Sequence, residues 1–172
     1  MVIWITGLSG SGKTTLGTAV CGLWKKQASN TVLVDGDVVR ALFKLDGDPE
    51  LYRMEGRRMV AGRIHDLCKW LDEQDINVVC CTISLFGNLH DMNKRNFSRY
   101  FEVFMDVPMD ILRRRDNKDI YSRAFDGNLP HVVGVDLPFD PPRNPDFRID
   151  NATDRNDFDE LASTVLSAAG VF

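Results

Sequence analysis

The first fifteen residues bring together glycines, hydroxyl groups and one lysine at a spacing that could bind polyphosphate. Gly7, Gly12, Lys13 and Thr14 match the pattern G-x-x-x-x-G-K-[ST]. In such a loop the glycines let backbone N–H groups approach phosphate oxygens, the lysine reaches the terminal phosphates, and the hydroxyl binds Mg²⁺. We therefore predict a nucleoside triphosphate site in this stretch, here called the phosphate loop. Its predicted binding residues are Gly7, Ser9, Gly10, Ser11, Gly12, Lys13, Thr14 and Thr15.

The residues on either side of the phosphate loop predict the elements that this motif needs. Residues 2–6 are mostly apolar, β-branched or aromatic, which is typical of a strand buried on both faces. The stretch TTLGTAVCGLWKK spaces its apolar residues as a helix does. A helix that opens at Lys13 directs the positive end of its dipole at the bound anion. Strand, loop and helix together argue against a chance match.

The rest of the chain alternates predicted strands with predicted helices. Further strands are predicted at 31–34, 76–84, 100–107 and 147–151, and helices at 37–42, 49–74, 108–115 and 153–170. This alternation predicts an α/β fold, a P-loop NTPase three-layer sandwich with a mainly parallel sheet, in one domain spanning residues 1–172. Ligands of such sheets bind at the carboxyl ends of the strands. The expected apolar side of the 49–74 helix consists of Leu51, Met54, Met59, Ile64, Leu67, Cys68 and Leu71.

Composition narrows the class of protein. The chain has 172 residues and a net charge of −4, so no overall basic field attracts it to nucleic acid. No apolar run approaches the length of a membrane span, and the first strand lacks the basic flank of a signal peptide. Its four cysteines lie in apolar stretches without C-x-x-C spacing, as buried thiols in a reducing compartment do. We expect a cytoplasmic protein whose partner is neither nucleic acid nor membrane; a homodimer is left open.

Two carboxylates follow the second predicted strand, in the sequence DGDVVR. We assign Asp37 to an acceptor hydroxyl, as general base or orienting group, and Asp35 to the Mg²⁺ shell with Thr14. The alternative is that Asp37 only caps the helix that follows, and the two roles are compatible. Asp106, after the fourth strand, is expected either to steady the metal site or to cap the turn before Pro108.

Residues 115–145 are rich in Gly, Pro, Asn, Asp and Arg, with only a short helical piece predicted at 120–125. Loops of this length in compact domains are usually functional or disordered. Because Arg115 and Lys118 are basic residues beside a phosphate site, we predict a lid that closes over the nucleotide. This stretch is called the lid segment below. The alternative for any single arginine here is a solvated helix end.

The remaining motifs separate the classes of phosphate-loop protein. A GTPase reads guanine with N-K-x-D, and neither NKRN nor NKDI in this chain ends in aspartate. This favours a small-molecule kinase. Seven motifs then resemble those of adenylylsulfate (APS) kinases, in order and spacing, over residues 2–150: GLSGSGKTTL, VDGDVVR, EGRR, TIS, FEVFMDVP, RDNKDIYSRAFDG and VVGVDLPFDPP. The resemblance implies transfer of the γ-phosphate of ATP to the ribose 3′-hydroxyl of APS, with Mg²⁺.

The resemblance also implies roles for individual residues. Lys13 and Asp37 are the implied catalytic residues, with Asp37 at the 3′-hydroxyl, and Lys118 belongs to the lid over the phosphates. Arginines are independently suited to an acceptor nucleotide, because guanidinium forks match phosphate oxygens. The implied acceptor-binding residues are Asp35, Asp37, Arg40, Arg53, Arg57, Ile83, Ser84, Leu85, Phe86, Lys118 and Val132.

The acceptor side departs from the family pattern, whereas the ATP side keeps it. The family sequence I-S-P-Y-R is ISLFG here, so that Gly87 stands at an expected arginine, and Gly56 stands at an expected asparagine. The two phenylalanines that flank adenine are also absent, since the loop LDGDPE has no aromatic residue and Val132 occupies the second position. Two lost stacking contacts weaken adenine binding by about a hundredfold.

These departures suit a smaller base. The stretch TISLFGNLHDMNKRN resembles a branch of the family that phosphorylates the 3′-hydroxyl of cytidine diphosphoramidate in capsule-sugar modification, and a pyrimidine presents less surface for stacking. The expected new wall of the acceptor pocket consists of Phe86, Leu89, His90, His131 and Val132. The alternative for His90 and His131 is polar filler on an exposed loop, and His65 is expected to be structural.

APS and cytidine diphosphoramidate thus stand as near-equal candidates for the acceptor. The rival from another class is a regulatory nucleotide-binding protein that has lost catalysis. The intact Lys13, Thr14 and Asp37 argue against that rival.

Overall fold

The computed structural model describes residues 1–116, 118–153 and 155–172. Its strands are β1 (Val2–Thr6), β2 (Thr31–Asp35), β3 (Asn77–Thr82), β4 (Tyr100–Asp106) and β5 (Phe147–Asp150). Within these described ranges they form one sheet in the order β2-β3-β1-β4-β5, and each neighbouring pair is parallel. The helices are α1 (Lys13–Lys25), α2 (Gly36–Leu42), α3 (Met54–Glu73), α4 (Gly87–Asn96), α5 (Met109–Arg115), α6 (Ile120–Phe125) and α7 (Phe158–Ala168).

Helices cover both faces of the sheet because the central strands are apolar on both sides. Ile3 of β1 packs in the layer formed with α1 and α7, whereas Trp4 packs in the opposite layer with α3 and α4. Cys80 and Cys81 of β3 follow the same alternation, and all four cysteines are free and buried, as predicted. The predicted α/β sandwich with a parallel sheet is confirmed.

The long amphipathic helix is shorter than predicted. It begins at Met54, and a separate 3₁₀ turn over Pro49–Tyr52 precedes it. Val60, Ile64 and Cys68 form its buried stripe, and Met59 is 44% exposed, so its assignment to the apolar side is wrong. A helix places residues four apart on one face, and Met59 is one residue out of that stripe.

The ends of the chain's later helices also differ from prediction. The last helix begins at Phe158 with Asp157 at its N-cap, so Thr153 is not the cap. The other predicted cap, Asp154, lies outside the described residues. Helix α4 occupies a stretch for which the sequence predicts no element.

The carboxyl ends of the strands meet at one edge of the sheet. The register pairs Thr6 of β1 with Thr82 of β3, and Asp35 of β2 with Cys81. The Thr6 hydroxyl donates to the Ile83 carbonyl at 2.7 Å, which joins the two loops that leave these strands. None of the described helices has the length and apolar character needed to cross a membrane.

Candidate active site

The phosphate loop is held open by close backbone contacts. At Gly7, an added Cβ would lie 2.7 Å from both the Met105 carbonyl oxygen and the Ser11 hydroxyl. Gly12 has φ +92°, and its added Cβ would lie 2.9 Å from the side-chain nitrogen of Asn151, which donates to the Ser11 carbonyl at 2.9 Å. No larger residue fits either position without moving the loop.

One buried polar atom of the phosphate loop has no protein partner within the described part of the chain. The buried Ser11 hydroxyl oxygen has no hydrogen-bond partner among the described residues. Buried hydroxyls without a partner are rare in proteins and indicate a missing ligand or water. Gly10 and Gly12 line the cavity without side chains, so a polyphosphate fits against the backbone there.

Lys13 opens α1 and turns its amine back over the loop, where Nζ donates to the Leu8 carbonyl at 2.7 Å. Desolvation lowers the pKa of Lys13 to about 8, and the carboxylates of Asp37 and Asp35 only partly oppose this. A charged amine with few solvent contacts attracts anions strongly. Lys13 is therefore placed to bind phosphate oxygens that approach the loop.

The Thr14 hydroxyl and the Asp35 carboxylate lie side by side, with Oγ1 donating to Oδ2 at 2.7 Å. The other oxygen of Asp35 accepts from the backbone N–H groups of Asp37 at 2.9 Å and Val38 at 3.4 Å. Asp35 is therefore the N-cap of α2, and the alternative that gave this cap to Asp37 is wrong.

This oxygen pair fits Mg²⁺. Magnesium in phosphoryl-transfer sites is bound by one or two protein oxygens together with phosphates and water. The described residues contain no cluster of three or more His, Cys, Asp or Glu side chains that could hold a metal alone. Thr14, a residue of the phosphate loop, and Asp35, which contacts it, supply such oxygens.

The carboxylate of Asp37 does not cap α2 and contacts the lid segment. Lys118 Nζ donates to Asp37 Oδ2 at 2.9 Å, and both side chains are largely exposed. This hydrogen bond raises the pKa of Lys118, so its amine is positively charged at neutral pH. The predicted acceptor-side carboxylate and the predicted lid cation thus contact each other directly.

Two further residues of the lid segment bond to the phosphate loop and to the loop after β5. The Tyr121 hydroxyl of α6 donates to the Ser9 carbonyl at 2.9 Å. Desolvation by burial raises the pKa of this hydroxyl. Arg115 donates to the carbonyls of Asn151 and Thr153, each at 2.7 Å.

One cavity of about 1090 Å³ contains both halves of the predicted site. Of the predicted residues, it is lined by Ser9, Gly10, Gly12, Lys13, Thr14, Thr15, Asp35, Asp37, Arg40, Arg57, Ile83, Ser84, Leu85, Phe86, Arg115, Lys118 and Val132. Gly7 and Ser11 are buried and do not line it. Its size is enough for a nucleotide ligand.

Two arginines face the acceptor half of the cavity around the ring of Tyr52. The guanidinium carbons of Arg40 and Arg57 lie 4.8 Å and 5.5 Å from the ring centroid. Arg57 donates to the carbonyls of Tyr52 at 2.7 Å and His131 at 2.8 Å, and Arg40 donates weakly to the Leu51 carbonyl at 3.4 Å. Desolvation lowers the pKa of both arginines, and neither forms an ion pair with a described carboxylate.

Arg53 is not brought into the cavity, in contrast to the expectation. Its guanidinium pairs with Glu50 at 3.2 Å on the exposed side of the turn. Arg53 is the N-cap of α3 and has an extended backbone, so it does not share the helical face that directs Arg57 into the cavity.

The predicted pocket wall is partly correct. Phe86, His131 and Val132 line the cavity, and the Phe86 ring is covered on one face by the guanidinium of Arg58 at 4.2 Å. Leu89 and His90 do not line it, because they lie on the buried face of α4. The interpretation of His90 as an exposed loop residue is wrong.

Asp106 has neither expected role. Its carboxylate forms an ion pair with Arg148, and its backbone carbonyl accepts from the Asn151 N–H at 3.0 Å. His65 is buried and hydrogen-bonded to Asn93 at 2.7 Å, which agrees with a structural role.

Sequence reasoning missed Tyr52, Tyr121 and Asn151. Asn151 directly follows β5, so the rule that ligands gather at strand ends would have found it. Tyr121 lies in a segment already predicted as a lid. No local sequence pattern indicates a role for Tyr52, because its ring contacts two arginines that lie on different helices.

Comparison with known proteins agrees with this geometry. The family model described as adenylylsulphate kinase matches residues 1–150. A cytidine diphosphoramidate kinase from Campylobacter jejuni is 34% identical over 165 residues, covering 96% of this chain and 94% of the relative. An adenylyl-sulfate kinase from Marinobacter nauticus is 32% identical over 169 residues, covering 96% and 82% respectively.

A solved structure supports the same assignment. The Mycobacterium tuberculosis APS kinase CysC, in complex with AMPPNP and APS, superposes with a TM-score of 0.86 at 29% identity, covering 98% of this chain and 96% of that one. With a family model spanning all five strands and the site, the chain belongs to the adenylylsulphate kinase family of phosphotransferases.

Proposed function

We propose that this kinase transfers the γ-phosphate of ATP to the ribose 3′-hydroxyl of a nucleotide modified at its 5′ end, with cytidine diphosphoramidate as the preferred acceptor. The observation that carries the proposal is the meeting of three groups in one cavity. Lys13 covers the phosphate loop, Asp35 contacts Thr14, and Asp37 contacts Lys118 at 2.9 Å. A phosphate cradle beside a carboxylate is what phosphoryl transfer to an alcohol needs.

On the donor side, the backbone N–H groups of the phosphate loop and the amine of Lys13 bind the ATP phosphates. Gly10, Gly12 and Lys13 line the cavity, which supports this role. Thr14 and Asp35 would hold Mg²⁺, which when bound would neutralise charge on the terminal phosphates. Lys118 brings a second positive charge to the same place from the lid segment.

On the acceptor side, Asp37 accepts a hydrogen bond from the 3′-hydroxyl and orients its oxygen toward the γ-phosphate. The hydroxyl donates to Asp37 Oδ1, since Lys118 approaches only Oδ2. The lid segment excludes water, which competes with the hydroxyl as an acceptor.

The two unpaired arginines support a substrate with anionic groups at its 5′ end. Arg40 and Arg57 bond only to backbone carbonyls among the described residues, so their remaining N–H groups are available to phosphate oxygens. A diphosphoramidate and an adenylyl sulfate both provide such oxygens.

The choice between these two acceptors depends on the base. No aromatic ring lies at the loop 46–50 or at Val132, so an adenine has no flanking pair of rings. One face of the Phe86 ring is already covered by Arg58, and the ring of Tyr52 by Arg40 and Arg57. These contacts support a pyrimidine acceptor, and the similarity to a cytidine diphosphoramidate kinase points the same way. APS is the second candidate, supported by the family match.

An acceptor screen with γ-labelled ATP and Mg²⁺ tests the proposal. We expect label to appear in cytidine diphosphoramidate with a higher kcat/KM than in APS, and in neither acceptor when its 3′-hydroxyl is replaced by hydrogen. A higher kcat/KM for APS would contradict the pyrimidine assignment. Binding of ATP without transfer to any nucleotide would favour the regulatory protein instead.

A further inference from the structure

A chain of buried polar side chains lies beneath the cavity-lining stretch of residues 83–86. At its centre are His90 of α4 and Glu102 of β4, which are 5% and 1% exposed. Tyr100 donates its hydroxyl to Glu102 Oε1 at 2.6 Å, and the same oxygen pairs with His90 Nδ1. Buried charged groups are costly and need a reason for their presence. The proposed chemistry uses none of these groups.

The second nitrogen of His90 connects this network to the cavity wall. His90 Nε2 lies 3.1 Å from the carbonyl oxygen of Ser84. A carbonyl oxygen only accepts, so Nε2 carries the proton of this hydrogen bond. The contact of Nδ1 with Glu102 on the other side of the ring, together with this hydrogen bond, fixes the ring orientation.

Ser84 needs such support because its backbone has φ +49°, which side chains other than glycine rarely adopt. A second hydrogen bond, from Trp4 Nε1 to Ser84 Oγ at 2.6 Å, holds its side chain. Two buried side chains thus hold Ser84 by hydrogen bonds: His90 bonds to its backbone carbonyl and Trp4 to its hydroxyl. Ser84 itself lines the cavity.

The orientation of the Ser84 carbonyl determines that of the next N–H. The peptide between Ser84 and Leu85 is trans and planar, so the Leu85 N–H points opposite to a carbonyl that is directed at buried His90. Within the described residues, this N–H donates to no protein acceptor. It belongs to a residue that lines the acceptor half of the cavity.

We propose that His90 is a positioning residue that directs the Leu85 N–H toward the acceptor nucleotide. Glu102 orients the imidazole, the imidazole holds the Ser84 carbonyl, and the peptide plane transmits this direction to the cavity. The proposal rests on the proposed function, since it assumes that the acceptor binds beside residues 83–86.

The two amide replacements of His90 separate this role from general support of the core. In His90→Gln, the amide nitrogen occupies roughly the place of Nε2 and can still donate to Ser84. In His90→Asn, the shorter amide reaches only the place of Nδ1 beside Glu102. Both variants keep a polar group and lose the ring. The matched control is His65→Asn, a buried histidine that contacts Asn93 and Asn96 but not Ser84.

We expect His90→Asn to raise the acceptor KM about tenfold, the effect of one hydrogen bond, with the KM for ATP within about twofold of wild type. His90→Gln retains an acceptor KM within about threefold, and His65→Asn changes neither KM. Equal acceptor KM values for the two His90 variants, or a parallel loss of ATP affinity, would overturn the proposal. Thermal unfolding of each variant verifies that it is folded.

A crystal structure of the His90→Asn protein gives a readout that does not depend on activity. We expect Ser84 to leave its positive φ and its carbonyl to turn away from residue 90. If Ser84 keeps the same conformation, the positioning role is refuted even in a fully active enzyme. If the wild type transfers phosphate to no acceptor, the proposed function fails, and this crystallographic comparison still decides whether His90 sets the peptide plane.

Discussion

Replacing Lys13 with methionine removes a charge from the phosphate loop while keeping a side chain of similar length. The pKa of Lys13 is lowered from 10.5 to about 8, chiefly because the amine is desolvated. A change of this size corresponds to about 3 kcal/mol of unfavourable free energy for the charged form in the folded state. The variant avoids this cost, but it leaves the Leu8 carbonyl without its donor, which costs about 1 kcal/mol.

The sign of the pH dependence follows from linkage. The folded pKa lies below the unfolded one, so between about pH 8 and pH 10.5 the unfolded chain binds more protons than the folded chain. The wild type therefore gains stability relative to Lys13→Met as the pH rises through this window. Below pH 8, Lys13 is protonated in both the folded and the unfolded chain. There the variant is expected to be more stable than the wild type by about 2 kcal/mol.

Urea unfolding of both proteins at pH 7, 8, 9 and 10 measures this difference. Groups that do not interact with Lys13 titrate alike in both proteins, so their contributions cancel in the comparison. The variant is also expected to lose ATP binding, measured by calorimetry at pH 7. A difference in unfolding free energy that stays constant over the window, within about 0.5 kcal/mol, would refute the assignment of a desolvated amine to Lys13.

Three further predictions concern catalysis, backbone packing and acid stability. Asp37→Asn is expected to lower kcat at least about 100-fold with little change in ATP affinity, measured in steady state; full turnover would exclude an orienting role. Gly56→Ala is expected to destabilise the fold by about 3 kcal/mol, because its Cβ would lie 2.3 Å from the Glu50 carbonyl oxygen. Gly62 lies on the same helix with open space around it, so Gly62→Ala is expected to stabilise the fold by about 0.5 kcal/mol. Denaturant unfolding measures both changes. Burial raises the pKa of Asp72, but hydrogen bonds from the Met1 amine and Ser98 outweigh the burial and lower this pKa below 3.8. Asp72→Asn is therefore expected to lower the free energy of unfolding by about 3 kcal/mol at pH 7. Urea unfolding should show this difference shrinking as the pH falls below 3.8.

The parts of the fold that the sequence predicts are those with a local signal. Strands β1 to β4 are short and mostly apolar, β5 alternates apolar with charged residues, and the phosphate loop has a fixed spacing. All of these patterns are present in the order of residues alone. The sequence pattern does not predict helix α4, because its buried face includes the polar residues His90 and Asn93. Their partners come from β4 and α3, which are distant in the sequence, and no periodicity of apolar residues reports such contacts.

The candidate site shows the same division. The pairing of Thr14 with Asp35 follows from strand order and motif, and both residues were assigned together from the sequence. The choice between Arg53 and Arg57 depends on where α3 begins, and helix ends are the least certain part of a sequence prediction. The same uncertainty moved the cap of α2 from Asp37 to Asp35.

The double attachment of Asp35 has a consequence for the speed of substrate capture. One oxygen is fixed to the backbone of α2 and the other to the hydroxyl that opens α1, so the carboxylate has lost its rotational freedom in the folded protein. Its entropy of ordering is therefore lost during folding and not again at each encounter with nucleotide. A rigid anionic anchor of this kind requires no search of side-chain rotamers before each turnover.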